Sequence, residues 1–259
     1  MSVDLDPLSP RSIVLSFLLG THPPSMPVSR LLDFTTLFGI TAGTARTALS
    51  RMVARGELTN DNGVYRLSGH LLERQAQQDT GRISPPTTWD GTWWFVAVLA
   101  QGRSVADRRA FRSRVVGARL GELRPDTWLR PANIEVPSDL TGVIVTRGPL
   151  VTGDAAEVVG RLWDLDALDA RARSLAASLS NTSVRLADGD AALADAFVQL
   201  AACQRFLRTE PQLPASLDPG RSSAELRESY ADVVVSFQLQ LGEFFARSRQ
   251  LGKISTDAR

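Results

Sequence analysis

The stretch from Leu58 to Leu67 reads Leu-Thr-Asn-Asp-Asn-Gly-Val-Tyr-Arg-Leu, with an Asn-Gly pair held between two short strand-like runs. Such a pair accepts positive φ at consecutive positions, so it predicts a tight hairpin with the two runs antiparallel. Helical signals precede it. Ser9 followed by Pro10 is a capping residue followed by the favoured first helical residue, and Val14, Phe17 and Leu18 recur at helical spacing until Gly20. Beyond a loop punctuated by Pro23, Pro24 and Pro27, a second helix starting near Ser29 carries Leu31, Phe34 and Phe38 on one face. It stops at Gly39, with Ile40 turned inward. Thr41 caps a third helix with Ala45, Leu49 and Met52 as its inward stripe, and Gly56 closes it. A tight helix pair followed by a hairpin predicts a winged helix-turn-helix, completed within residues 1–82 by a further helix over Ser68 to Arg82.

Thr44, Arg46, Thr47, Ser50 and Arg51 fall on the third helix away from its apolar stripe. Short hydroxyl side chains let a helix approach the floor of the major groove and bond phosphates, and an arginine forks onto guanine or clamps a phosphate. Tyr65 and Arg66, on the hairpin, are placed to hold neighbouring backbone or minor groove. Each of these residue types is also ordinary on a solvated helix. The weight lies in the order of helix pair, outward face and wing, against which stands a winged-helix module that contacts only proteins.

Composition narrows the setting. Of 259 residues 43% are hydrophobic and 22% charged, a balance expected of globular domains rather than disordered or membrane-spanning chains. The acidic start, Met1 to Pro10, lacks a signal-peptide pattern, which gives a cytoplasmic expectation. Cys203 is the single cysteine and reads as a buried, inert thiol. The formal net charge of +1 says nothing for nucleic acid by itself. Its distribution says more, because seven arginines face four acids between Pro7 and Gln78.

Pro85-Pro86 marks a boundary, after which residues 83–165 read as a second domain and 166–259 as a helical third. The run Phe95 to Leu99 reads as a buried strand, Val105 to Val115 as an Arg-rich helix, and Asp126 to Leu129 and Gly142 to Thr146 as further strands. Asp154 to Leu162 is a second helix. That order predicts a ferredoxin-like sandwich. Ala191 to Leu207 and Ser223 to Arg249 read as amphipathic helices around a proline-rich connection from Pro211 to Pro219, with faces that pack internally or form a dimer seam.

Four stretches together resemble one family: Gly39-Ile40 through Ala45 to Met52 with Gly56; Trp89-Asp90-Gly91-Thr92-Trp93; Trp128-Leu129-Arg130-Pro131 with Leu162-Trp163-Asp164-Leu165; and Arg205-Phe206-Leu207 through Pro211 to Pro219. On these the chain is similar to the PaaX family of repressors. The resemblance implies an α+β chain with an N-terminal winged helix-turn-helix, a central ferredoxin-like (Cas2-like) domain and a C-terminal helical domain. It also implies a DNA-bound repressor released by an effector, which is phenylacetyl-CoA in the best-known members. The sequence departs from the pattern at Asp169 to Arg173, where an aromatic pair is missing, and within Gly220 to Ser223, where a tryptophan is replaced.

A Cas2-like centre raises the possibility of a metal-dependent nuclease, which needs carboxylates at the end of its first strand. After Leu99 the chain reads Ala100-Gln101-Gly102-Arg103, with no acid before Asp107. His22 and His70 lack Cys or acid partners at metal-ligand spacing, and neither a nucleophile elbow nor a phosphate-binding glycine loop occurs. The expectation is a regulator that is not an enzyme, with no metal or cofactor, acting as a homodimer on a palindromic operator of double-stranded DNA. For its effector, an aryl- or acyl-CoA thioester, Arg108, Arg112, Trp128 and Arg130 are the candidates. Guanidinium groups pair with phosphates and a tryptophan walls an apolar tail. The competing assignment is a solvated helix face for the arginines and a core position for Trp128.

Overall fold

In a computed structural model of the chain, the described residues are 9–84, 88–99, 102–186, 190–218 and 222–257. They form a mixture of helices and two antiparallel sheets and cluster into two compact units. The first draws on Met1–Asp79, Ser174–Gln204 and Glu228–Arg259, the second on Thr80–Arg173 and Arg205–Arg227. Residues 166–259, read from sequence as one helical block, are therefore shared between the units. The expected boundary at Pro85-Pro86, residues Ala100 and Gln101 after the first central strand, and Gly220-Arg221 lie outside the described residues.

The first unit opens with α1 (Pro10–Leu19), capped as expected by Ser9, whose hydroxyl accepts from the Ser12 amide. Next come β1 (Ser25–Pro27), α2 (Val28–Thr36), α3 (Ala42–Ala54), β2 (Leu58–Asp61), β3 (Val64–Leu67) and α4 (His70–Arg82). Asn62 and Gly63 close the β2–β3 hairpin at φ 49° and 83°, the doubly positive geometry that only a pair such as Asn-Gly accepts at low cost. β1 was not visible in the sequence. It adds to the outer edge of β3, giving the order β1-β3-β2, and its Pro27 is tolerable because an edge strand need not donate every amide.

The remainder of this unit comes from parts of α7 (Leu165–Arg185), α8 (Asp190–Thr209) and α9 (Ser222–Asp257). α7 is a further element that sequence periodicity did not reveal. Phe17 stacks on Phe34 at 4.1 Å between ring centroids, and Phe197 of α8 meets the Phe34 edge at 4.9 Å. Phe245 of α9 lies 6.4 Å from Phe17. These partners explain why α1 buries Ile13, Val14, Leu15, Phe17, Leu18 and Leu19, far more than a single stripe.

The second unit holds β4 (Thr92–Val98), α5 (Val105–Gly117), β5 (Gly121–Arg124), β6 (Thr127–Pro131), β7 (Val143–Pro149) and α6 (Ala155–Leu162). The sheet order β5-β6-β4-β7 is antiparallel throughout. Numbered from the first strand this is 2-3-1-4, the strand order of a ferredoxin-like sheet. Two features depart from the expected sandwich. A strand missed in the sequence, β5, pairs with β6 across a turn in which Asp126 takes φ 63°. The second helix, α6, follows the fourth strand instead of preceding it. α5 covers the face carrying Val96 and Trp128, whereas α6 covers the face carrying Trp93 and Leu129. Because the two clusters sit on alternate residues of β4, the helices lie on opposite faces of the sheet.

The proline-rich connection from Pro211 to Pro214 is buried. Arg119 donates to Gln212 Oε1 and to the carbonyls of Leu207 and Arg208 at 2.8–3.0 Å. Arg130, with no exposed surface, donates to the carbonyls of Pro131, Ala118 and Pro211 and to Asn133 Oδ1 at 3.0–3.3 Å. Arg227 donates to the Gly81 carbonyl and pairs with Glu210. Burial pushes the Arg130 guanidinium down to about 9 and Arg119 down to about 10, with Glu210 opposing the shift.

Candidate nucleic-acid interface

α3 owes its start to Thr41, which accepts from the Thr44 amide at 3.3 Å. Its buried stripe is the one expected: Ala45, Leu49 and Met52 have no exposed surface. On the opposite line the residues are Gly43, Thr47, Ser50 and Ala54, spaced by four, three and four. All are small, so nothing long holds the outer line of the helix away from a surface it meets. Thr47 turns its hydroxyl onto the Gly43 carbonyl at 3.0 Å, which keeps that line low.

The arginines stand on the two flanks of this line. Arg46 is on one; Arg51 and Arg55, one turn apart, are on the other. All three side chains are exposed, as are Thr44 and Ser50. The flank bearing Arg51 faces an open groove of about 640 Å³ between α1 and α3, lined also by Arg11, Thr44 and Thr47; Arg46 and Ser50 are not part of that lining. Arg11 and Arg55 were not anticipated from sequence. The inward stripe identifies the outward face of α3 but gives no hint that the start of α1 lies beside it.

Arg11 is held in place by Glu57, its Nε donating to both carboxylate oxygens at 3.1 and 3.0 Å and its Nη2 to Oε1 at 2.5 Å. The bonds from Arg11 hold the Glu57 carboxyl below the usual carboxylate range, against the opposing effect of burial. On the hairpin, Tyr65 is half-buried and Arg66 exposed. Arg66 sits on the central strand between Ser25 of β1 and Thr59 of β2, so it occupies the solvent face of that sheet.

The four effector candidates do not form a common site. Arg108 donates to the Arg103 carbonyl at 3.1 Å. Arg112 pairs with Glu122 and lies over the Trp128 ring, 5.2 Å from its centroid. Trp128 belongs to the core under α5. Arg130 is the clearest correction: its donors are committed to backbone carbonyls inside the unit, so it is not free to meet an effector. Other arginines around α5 are also paired, Arg103 with Asp126 and Arg114 with Asp139.

Several segments that carried the family resemblance have structural duties. Asp90 accepts from the Thr92 amide and hydroxyl and from Arg147, while Trp89 Nε1 donates to the Thr92 carbonyl at 2.6 Å. The motif thus fastens the start of β4. Asp164 accepts from the Ala167 amide at the start of α7, and Trp163 packs against Gly121, where an added Cβ would meet the indole at 2.9 Å. His22, expected to lack an acid partner at ligand spacing, lies 2.9 Å from Asp79 Oδ2, a neighbour distant in sequence. Among the described residues no cluster of His, Cys, Asp or Glu is arranged to hold a metal ion, and no helix is long and apolar enough to cross a membrane.

α3 thus carries small residues outermost, cations on both flanks and a tight hairpin after it. A family model described as PaaX-like protein matches residues 9–71, which contain α1, α2, α3 and the hairpin. Over nearly the whole chain the fold is similar to "Uncharacterized protein Rv0674 from Mycobacterium tuberculosis", with 33% sequence identity and a TM-score of 0.68. The alignment covers 91% of this chain and 98% of that one. No curated protein matches the sequence. Residues 9–71 thus carry the sequence pattern of the PaaX-like family, whose members are transcriptional regulators.

Proposed function

We propose that the chain is a DNA-binding repressor whose α2–α3 pair and β2–β3 hairpin work as a winged helix-turn-helix, with α3 as the recognition helix. The observation that carries this is the division of α3 into a fully buried stripe of Ala45, Leu49 and Met52 and an exposed surface of Thr44, Arg46, Thr47, Ser50 and Arg51. Tyr65 and Arg66 of the hairpin hold adjacent backbone. Residues 1–82 supply DNA contact and 83–165 a ferredoxin-like core, while the helices of 166–259, divided between the two units, are the candidate region for effector and dimer contacts.

The protein acts in the cytoplasm as a homodimer, so that two recognition helices meet the halves of a palindromic site about one helical turn apart. The outer edge of β7 supports self-association. Val143, Ile144 and Val145 run along β7, which among the described residues is an edge strand of its sheet, the kind of edge that another strand covers. An aryl- or acyl-CoA thioester releases the repressor, a proposal that rests on the family and not on the four residues discussed above.

Gel-shift titration against the DNA upstream of the protein's own coding sequence and against a random duplex tests the function. Preference for the upstream duplex is expected, and Arg46→Ala should weaken that preference by about 1 to 3 kcal/mol while leaving the melting temperature unchanged. Equal binding of both duplexes by the parent protein would leave a winged-helix module without an operator.

A further inference from the structure

The groove between α1 and α3 gathers more positive charge than the recognition helix alone explains. Arg51 and Arg55 are one turn apart on the same flank, a like-charge spacing that costs a helix a few tenths of a kcal/mol unless an anion lies between them. Arg11 enters the same groove from α1. The carboxylate within reach of this group, Glu57, is committed to the Nε edge of Arg11 by bonds at 3.1 and 3.0 Å and so positions that guanidinium. Thr44 and Thr47 add hydroxyl groups along one wall, and residues at the starts of both helices, the positive ends of their dipoles, line the same space.

We propose that this groove seats backbone phosphates of one DNA strand, with Arg51, Arg55 and Arg11 as phosphate contacts. Arg46, on the opposite flank, is then the arginine of α3 that meets base edges. The proposal rests on the DNA-binding function above and divides its arginines between two jobs. Phosphate contacts carry affinity and salt dependence without sequence information, whereas a forked base contact carries discrimination. The small outer line of Gly43, Thr47, Ser50 and Ala54 lies between the two flanks, so a strand whose bases face that line has its backbone beside Arg51 and Arg55.

The test is fluorescence anisotropy of the full chain with the upstream and random duplexes over a series of salt concentrations. The variants are Arg55→Gln, Arg51→Gln, Arg46→Gln and, as a control of equal charge loss on an exposed residue of the second unit, Arg161→Gln. Arg55→Gln and Arg51→Gln should each weaken both duplexes by the same factor and reduce the slope of log affinity against log salt by about 0.9. Arg55→Lys should restore the slope. Arg46→Gln should cost the upstream duplex more than the random one, and Arg161→Gln should leave the slope unaltered. A slope for Arg55→Gln equal to that of Arg161→Gln, or a loss confined to one duplex, overturns the phosphate assignment while leaving DNA binding intact. A parent protein that binds neither duplex removes both. Matching melts by circular dichroism separate these results from misfolding.

Discussion

Arginines on α3 and arginines around Pro211 and Gln212 are the same residue with opposite fates. Arg46, Arg51 and Arg55 keep their guanidinium groups in solvent on a helix whose other side is wholly apolar. Arg119, Arg130 and Arg227 are buried in the second unit, and their donors meet backbone carbonyl oxygens, the side-chain amide oxygens of Gln212 and Asn133 and a single carboxylate, Glu210. A guanidinium has five donors in a fixed fork. Where interior oxygen atoms occupy these donors, the charge is part of the scaffold; where the donors face solvent, the group is available to a polyanion. Availability, and not residue type, is what distinguishes a contact surface from a structural clasp.

The sharpest way to break this comparison is Arg130→Met. It deletes the clasp and leaves the carbonyls of Ala118, Pro131 and Pro211 buried without their donor, each at about 1 to 3 kcal/mol. A loss of about 4 kcal/mol or more in urea unfolding is expected, a large share of a domain's total stability. If the variant melts with the parent, Arg130 is not a clasp and its role as an effector contact reopens.

Met52→Asp tests the other side of the contrast, because it places an unpaired carboxylate beneath α3 at a position with no exposed surface. About 3 to 5 kcal/mol should be lost. The full chain must be used, since Phe17 and Phe34 pack on Phe197 and Phe245 and a fragment ending near Arg82 would bare them. An unchanged thermal melt would mean that the wrong face of α3 has been taken as buried.

Arg11 stands between the two cases, bonded to Glu57 yet 40% exposed, and its effect is correspondingly the smallest. The folded Glu57 carboxyl titrates below its unfolded counterpart. The pair's stabilisation is therefore present above the ordinary carboxylate range and is lost as pH falls through the lowered value. Solvent screening limits it to about 1 kcal/mol. Glu57→Gln should narrow the difference between melting temperatures at pH 7 and pH 3. An undiminished difference would assign that acid sensitivity to other carboxylates.

Local physics made much of the first unit legible in advance. The caps at Ser9 and Thr41, the Asn62-Gly63 turn and the inward stripe of α3 each depend on residues within a few positions of one another. Capping, positive φ and helical periodicity operate at that range. The outward face of α3, including Thr44, Arg46, Thr47, Ser50 and Arg51, follows directly from that stripe.

Elements lacking such signals went unseen. β1 is three residues ending in proline and exists because β3 offers it an edge; β5 is four residues joined to β6 by a tight turn. α7 has a charged, weakly patterned beginning, so periodicity did not single it out. The tryptophan and arginine of Trp128 to Pro131 looked like a ligand wall with a phosphate partner, and only packing shows them to be interior.

The sequence by itself determined that a helix pair and hairpin open this chain and which side of α3 faces away from the core, because those properties are written in short-range spacing. The tertiary structure alone decided that Arg11 and Arg55 join Arg51 around one groove, and that Arg119 and Arg130 close upon the Pro211–Gln212 segment. The reason is reach. Whether a cation is solvated or enclosed depends on which distant carbonyls and apolar side chains fold against it, and no local pattern records their arrival.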